Sequence, residues 1–244
     1  EFSNVKGIKN DKFYFPKEII KSKFLVKSKL NYAENLLSKN DNSKSVTFIS
    51  ENGYREERSW KELNKNALKI INFLKENKIK EKDRIAAYTV NQTETVESFL
   101  AASAIGAIWS SCSPDFGTPG VVERFSQIKP KLLIITDRYY YNGKEINVLE
   151  RLPDILKKIK SIKCVLIANY PGKKNLKQNK IKGINIFYFN KLKLKINNEI
   201  IFKKFDFDKE LAILYSSGTT GKPKCICHRA GGVLIQHLKE HKLH

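Results

Sequence analysis

The sequence predicts an α/β fold built on a parallel sheet. Two observations carry that expectation. Short apolar runs alternate with amphipathic stretches of helical length, and a last buried run feeds directly into a loop crowded with glycine and hydroxyls.

From Ser45 onward the rhythm is regular. Val46–Ile49 and Tyr54–Arg58 predict a hairpin, with Asn52-Gly53 as its tight turn. Ser59-Trp60-Lys61-Glu62 has the form of a capping box, and the apolar spacing behind it predicts a helix over 60–77. Arg84–Thr89 predicts a buried strand. Asn91-Gln92-Thr93-Glu94 opens a helix that runs to Gly106, a natural C-terminal stop. Ile108–Ser111 predicts a strand, and Thr118-Pro119 starts a helix through Ile128, with proline where its missing N–H costs least. Leu132–Thr136 and Cys164–Ala168 predict further strands flanking a helix over 147–160. Between Asn169 and Asp208 the pattern weakens to peripheral loops and edge strands, including the apolar pieces Ile184–Phe189 and Ile200–Phe205. Residues 1–44 form an N-terminal extension. Its one clear pattern, Leu30 to Leu37, puts residues 30, 33, 36 and 37 on one face of a short helix. Residues 45–244 then constitute one partial domain.

Composition narrows the function classes. The chain has 244 residues, 41% hydrophobic, enough for a sizeable core. It has no apolar run of membrane-spanning length and no secretory start, and four scattered cysteines fit a reducing, cytoplasmic setting better than a disulfide framework. The formal net charge is +21, but only seven of the 46 basic residues are arginine. That balance reads as a solvated lysine surface biased toward anionic substrates, with no nucleic-acid or membrane partner. No methionine occurs, and the last residues lie inside a helical pattern, so the chain is expected to be a fragment lacking its C-terminal remainder.

The chemistry-bearing segment follows the strand Leu211–Tyr215. Ser216-Ser217-Gly218-Thr219-Thr220-Gly221-Lys222-Pro223-Lys224 combines glycines that let the backbone N–H groups point inward, four hydroxyls, and a terminal ammonium. Such a nest suits a polyphosphate. A Walker A loop is excluded, because Ser216 stands at its first glycine position and Pro223 at its metal-binding hydroxyl. Cys225–His228 predicts a second strand, so the loop joins two strands. A competing reading takes Cys225, Cys227, His228, His237 and His241 as a metal set, but Cys-x-Cys is tighter than the usual ligand spacing.

Tyr215 to Lys224 resembles the phosphate-loop signature of the adenylate-forming superfamily of acyl-CoA synthetases, luciferases and peptide-synthetase adenylation domains. Three further segments, 30–37, 106–117 and 228–241, are similar to those of the acetoacetyl-CoA synthetase family; Arg229 is larger than the small residue expected there. The resemblance implies a two-step ligase using acetoacetate, ATP with Mg²⁺, and coenzyme A; a synthetase for another short-chain acid, such as acetate or propionate, is the alternative, since the family's acyl pocket would lie mostly beyond residue 244. It implies that Ser216, Ser217, Gly218, Thr219, Thr220, Gly221 and Lys224 hold the β- and γ-phosphates, with Lys224 stabilising charge. It also implies that coenzyme A lies near Ser113, Phe116, Gly117, Arg138 and Lys144. The adenine loop, the Mg²⁺-binding glutamate, the ribose-binding aspartate and the catalytic lysine of this family would all lie beyond residue 244, so a fragment of this extent is expected to be inactive alone.

Overall fold

Apolar runs with no polar alternation have to be covered on both faces, and the structure buries them that way. The structure, a computed structural model, describes residues 5–8, 16–18, 22–194, 199–216 and 221–243. In chain order the elements are β1 (Lys29–Leu30), α1 (Tyr32–Leu36), β2 (Lys44–Ile49), β3 (Arg55–Ser59), α2 (Trp60–Glu76), β4 (Arg84–Tyr88), α3 (Thr93–Ala104), β5 (Ile108–Cys112) and α4 (Thr118–Ile128). There follow β6 (Leu132–Thr136), β7 (Arg138–Tyr141), β8 (Lys144–Asn147), α5 (Leu152–Lys158), β9 (Cys164–Ala168), β10 (Asn185–Tyr188), β11 (Phe205–Asp206), β12 (Glu210–Ser216), β13 (Lys224–Arg229) and α6 (Ala230–Leu243).

The main sheet has seven strands in the order β10-β9-β6-β4-β5-β12-β13. The first six run parallel, and β13 returns antiparallel to β12. Side chains alternate between two cores, as a pleated strand requires. Ile85, Ala87, Leu132, Ile134 and Leu166 enter one core, formed with α1, α2, α3 and α6. Ala86, Tyr88, Leu133, Ile135 and Ile167 enter the other, formed with α4 and α5. Full burial of one such leucine or isoleucine contributes about 1.5–3 kcal/mol.

Local expectations mostly hold. Ser59 and Glu62 form the reciprocal capping box that opens α2. Gly53, at φ +78, turns the β2–β3 hairpin. The helix expected over 30–37 is shorter: Tyr32–Leu36 form α1, capped by the Asn31 side chain, while Leu30 pairs in β1 and Leu37 closes the helix. Asn31 is fully buried, and its amide donates to the carbonyls of Ala104 and Lys203, both at 2.9 Å. The N-terminal segment is thereby tied to the end of α3 and to the chain entering β11.

Two other stretches differ from expectation. The helix expected over 147–160 is confined to α5, preceded by one tight turn at Leu149–Arg151, because Pro153 can sit only in a helix's first turn. Ahead of it lies an unexpected hairpin, β7–β8, whose turn residues Asn142 and Gly143 both take positive φ. Among the described residues no helix is long and apolar enough to cross a membrane.

Candidate phosphate loop and its supports

Every strand of the parallel set ends at the same edge of the sheet, where open α/β sheets bind ligands. The β12–β13 hairpin carries its loop at that edge. Ser216 ends β12, Lys224 begins β13, and the two residues face each other across the ladder. The loop therefore leaves and re-enters through one hydroxyl and one ammonium. The Lys224 side is exposed, while Pro223 beside it is buried. Gly221 has φ +98, and among the described residues nothing lies within 4 Å of where a Cβ would be. Ser217, Gly218, Thr219 and Thr220 lie outside the described residues.

The root of the hairpin is fixed from below. Ser110 of β5 donates to the Ile213 carbonyl at 2.8 Å and lies 3.2 Å from the Tyr215 hydroxyl. Burial pushes the Tyr215 phenol upward, so it stays neutral. From α4, Gln127 donates to the Pro223 carbonyl at 3.0 Å, and the Phe125 ring lies 6.4 Å from that of Tyr215.

The 113–117 loop follows β5 at the same edge. The buried Tyr88 hydroxyl sits 3.0 Å from the Pro114 carbonyl, and Arg151 donates to that carbonyl at 2.7 Å and to the Tyr88 hydroxyl as well. Ser113 is exposed and donates to Asp115 at 2.6 Å. Phe116 is 40% exposed, with the Arg124 guanidinium 4.1 Å from its ring centre. Gly117 caps α4. Lys144 is exposed at the start of β8, beside a turn whose Gly143 N–H donates to Glu51 at 3.1 Å. Arg138 has a different environment from Lys144. It is buried and donates to Glu145 at 2.8 Å and to the Lys174 carbonyl at 2.6 Å, and its Nε has no partner among the described residues.

The histidines and cysteines do not converge. Among the described residues no group of three or more His, Cys, Asp or Glu side chains is placed to hold a metal ion. His237 instead pairs with Tyr32.

Sequence reasoning missed Arg124, Gln127, Tyr88 and Arg151, the residues that support the two loops. Their partners are distant in sequence, 96 positions in the case of Gln127 and Pro223, and no local pattern marks such contacts.

Comparison with known proteins agrees with this geometry. A profile described as AMP-binding enzyme matches residues 38–243. The chain is 42% identical over 223 residues to an acetoacetyl-CoA synthetase of Gallus gallus, covering 89% of this chain and 33% of that protein. It is 38% identical over 226 residues to an acetoacetyl-coenzyme A synthetase of Rhizobium meliloti, covering 93% and 34%. The solved acetoacetyl-CoA synthetase from Streptomyces lividans superposes with a TM-score of 0.83 at 28% identity, over 97% of this chain and 36% of that one. The chain thus spans about a third of the length of the relatives it matches.

Proposed function

Because the chain belongs to the AMP-binding enzyme family, we propose that it is the N-terminal part of a ligase that joins acetoacetate to coenzyme A at the expense of ATP. A carboxylate oxygen of the acid attacks the α-phosphorus of ATP, and the bond to pyrophosphate breaks to leave an acyl-adenylate. The coenzyme A sulfur then attacks the acyl carbonyl, and AMP departs with the bonding electron pair.

The observation that carries this reading is the pairing of Ser216 with Lys224 at the two ends of the loop, at the sheet edge where the parallel strands finish. Charge builds on the β- and γ-phosphates as pyrophosphate leaves. Ser216, Ser217, Thr219 and Thr220 would donate hydrogen bonds to it. Gly218 and Gly221 would let the backbone approach, and the Lys224 ammonium would neutralise it. The work is electrostatic, with no covalent intermediate on the protein. ATP would be bound with Mg²⁺, which neutralises phosphate charge; no residue of this chain is assigned to the metal.

Coenzyme A would lie along the neighbouring loops, past Ser113, Phe116 and Gly117, with Lys144 exposed and free to meet a phosphate group. Arg138 would act there by holding the β7–β8 hairpin to the 174 segment. Acetoacetate as the acid rests on likeness across the whole chain rather than on an acyl pocket.

AMP release by the complete enzyme, with acetoacetate, acetate, propionate and malonate offered in turn, tests the assignment. Acetoacetate is expected to give the highest kcat/KM. A tenfold preference for another acid would reassign the substrate, and no AMP from any acid would remove the ligase reading.

A further inference from the structure

The hairpin that carries the phosphate loop is poorly buttressed on its outer side. β13 is the sheet's edge strand, and Lys224, Cys225, Ile226 and Cys227 are all exposed. Among the described residues, Ser110 of β5 holds the root of the hairpin from its inner side, and one helix reaches both ends of the loop. Gln127 of α4 holds the Pro223 carbonyl at 3.0 Å, next to Lys224. Three residues earlier on α4, one turn back, the Arg124 guanidinium lies 5.9 Å from the Tyr215 ring centre, next to Ser216. The same guanidinium lies 4.1 Å from the Phe116 ring centre and donates to the Gly120 carbonyl at 2.9 Å. Phe116 belongs to the loop that leads into α4.

Arg124 thus has within cation–π range one ring of the 113–117 loop and one ring of the strand that feeds the phosphate loop. A flat, delocalised cation can stack on one ring while attracting another. A lysine ammonium in the same place is a compact, strongly hydrated point charge and cannot do both equally well.

We propose that α4 is a shared brace between the phosphate loop and the 113–117 loop, with Arg124 and Gln127 as positioning residues: Arg124 steadies both loops, and Gln127 steadies the phosphate loop alone. The inference rests on the ligase reading above, in which ATP occupies one loop and coenzyme A the other. Neither residue needs to touch substrate. Each acts through the backbone and ring it holds.

The test uses the complete enzyme and reads two constants separately: the KM for ATP in acid-dependent ATP–pyrophosphate exchange, and the KM for coenzyme A in the overall reaction. Wild-type exchange is measured first; its absence would sink the ligase reading and leave the brace without a substrate. Given exchange, Arg124→Lys is expected to raise both constants threefold to tenfold. Gln127→Ala is expected to raise the ATP constant by a similar factor and leave the coenzyme A constant within twofold. In a Phe116→Leu background, which keeps apolar volume but removes the ring, Arg124→Lys is expected to raise the coenzyme A constant less than twofold further, because the link to that loop is already gone. A rise in only one constant for Arg124→Lys, or equal rises in both for Gln127→Ala, would overturn the proposal. So would a full threefold to tenfold rise in the coenzyme A constant on adding Arg124→Lys to Phe116→Leu.

Discussion

The Tyr32 hydroxyl pairs with Nδ1 of His237 at 2.8 Å, joining residues 205 positions apart. The contact ties α1 of the N-terminal segment to α6, the helix that follows the β12–β13 hairpin. Burial pushes the Tyr32 phenol up to about 12, so it remains a neutral hydrogen-bonding group at any physiological pH. Removing the hydroxyl leaves the His237 nitrogen to find another partner in a half-buried place. Tyr32→Phe is therefore expected to lower unfolding stability by about 1 kcal/mol in urea titrations. A gain in stability would show the pairing to be ornamental.

Gly106 lies at φ +73, and a Cβ there would come within 2.5 Å of the Phe205 ring. Both the backbone conformation and the space are closed to alanine. Gly106→Ala is expected to destabilise the fold by about 1–3 kcal/mol, since left-handed backbone strain and a ring displacement add. Thermal unfolding of the variant beside wild type measures it.

Glu97 is buried on α3, where Arg58 and Asn66 both donate to its carboxylate, at 3.3 and 2.7 Å. Desolvation is the largest influence, and with the nearby Glu94 it raises the Glu97 carboxyl to about 7. A folded-state value above the unfolded one means that the native protein holds the proton more tightly. Its stabilising contribution is complete in acid and is lost as pH rises from the ordinary carboxylate range through about 7. The melting temperature of the wild type is expected to fall between pH 5 and pH 8, and that of Glu97→Gln to fall less. Parallel pH profiles for the two proteins would refute the sign.

Cys112 and Cys164 are buried, and desolvation pushes both thiols to about 12. Cys225 and Cys227 are exposed on β13. Alkylation of the native chain followed by peptide mapping is expected to mark Cys225 and Cys227 and to spare the other pair until denaturant is added. Labelling of Cys112 in the native state would place the end of β5 on the surface.

Much of the fold was legible because its strands are uninterrupted apolar runs bounded by sharp stops. Ile85 to Tyr88 and Leu132 to Ile135 can be buried only between two layers, and they are. The capping box at Ser59 and the turn at Gly53 are local chemistry and were read locally. The β7–β8 hairpin was not. Its Asn142-Gly143 turn signal is present, but the helical spacing of Leu149, Leu152 and Leu156 extends the apparent helix back toward it. Only the first-turn restriction on Pro153 limits that helix. At the site, the proposal of a phosphate loop rests on the chain order of hydroxyls, glycines and Lys224, which is legible in the sequence. The supports from α4 did not show, because Arg124 meets Phe116 and Tyr215 only after β5, α4 and β12 have assembled.

The most direct test lies at Lys224. Acid-dependent ATP–pyrophosphate exchange by the complete enzyme should fall roughly tenfold to a hundredfold in Lys224→Ala, the loss of a charge-assisted contact of about 1.5–3 kcal/mol. Exchange at the wild-type rate would mean that the loop between Ser216 and Lys224 does not hold the departing pyrophosphate.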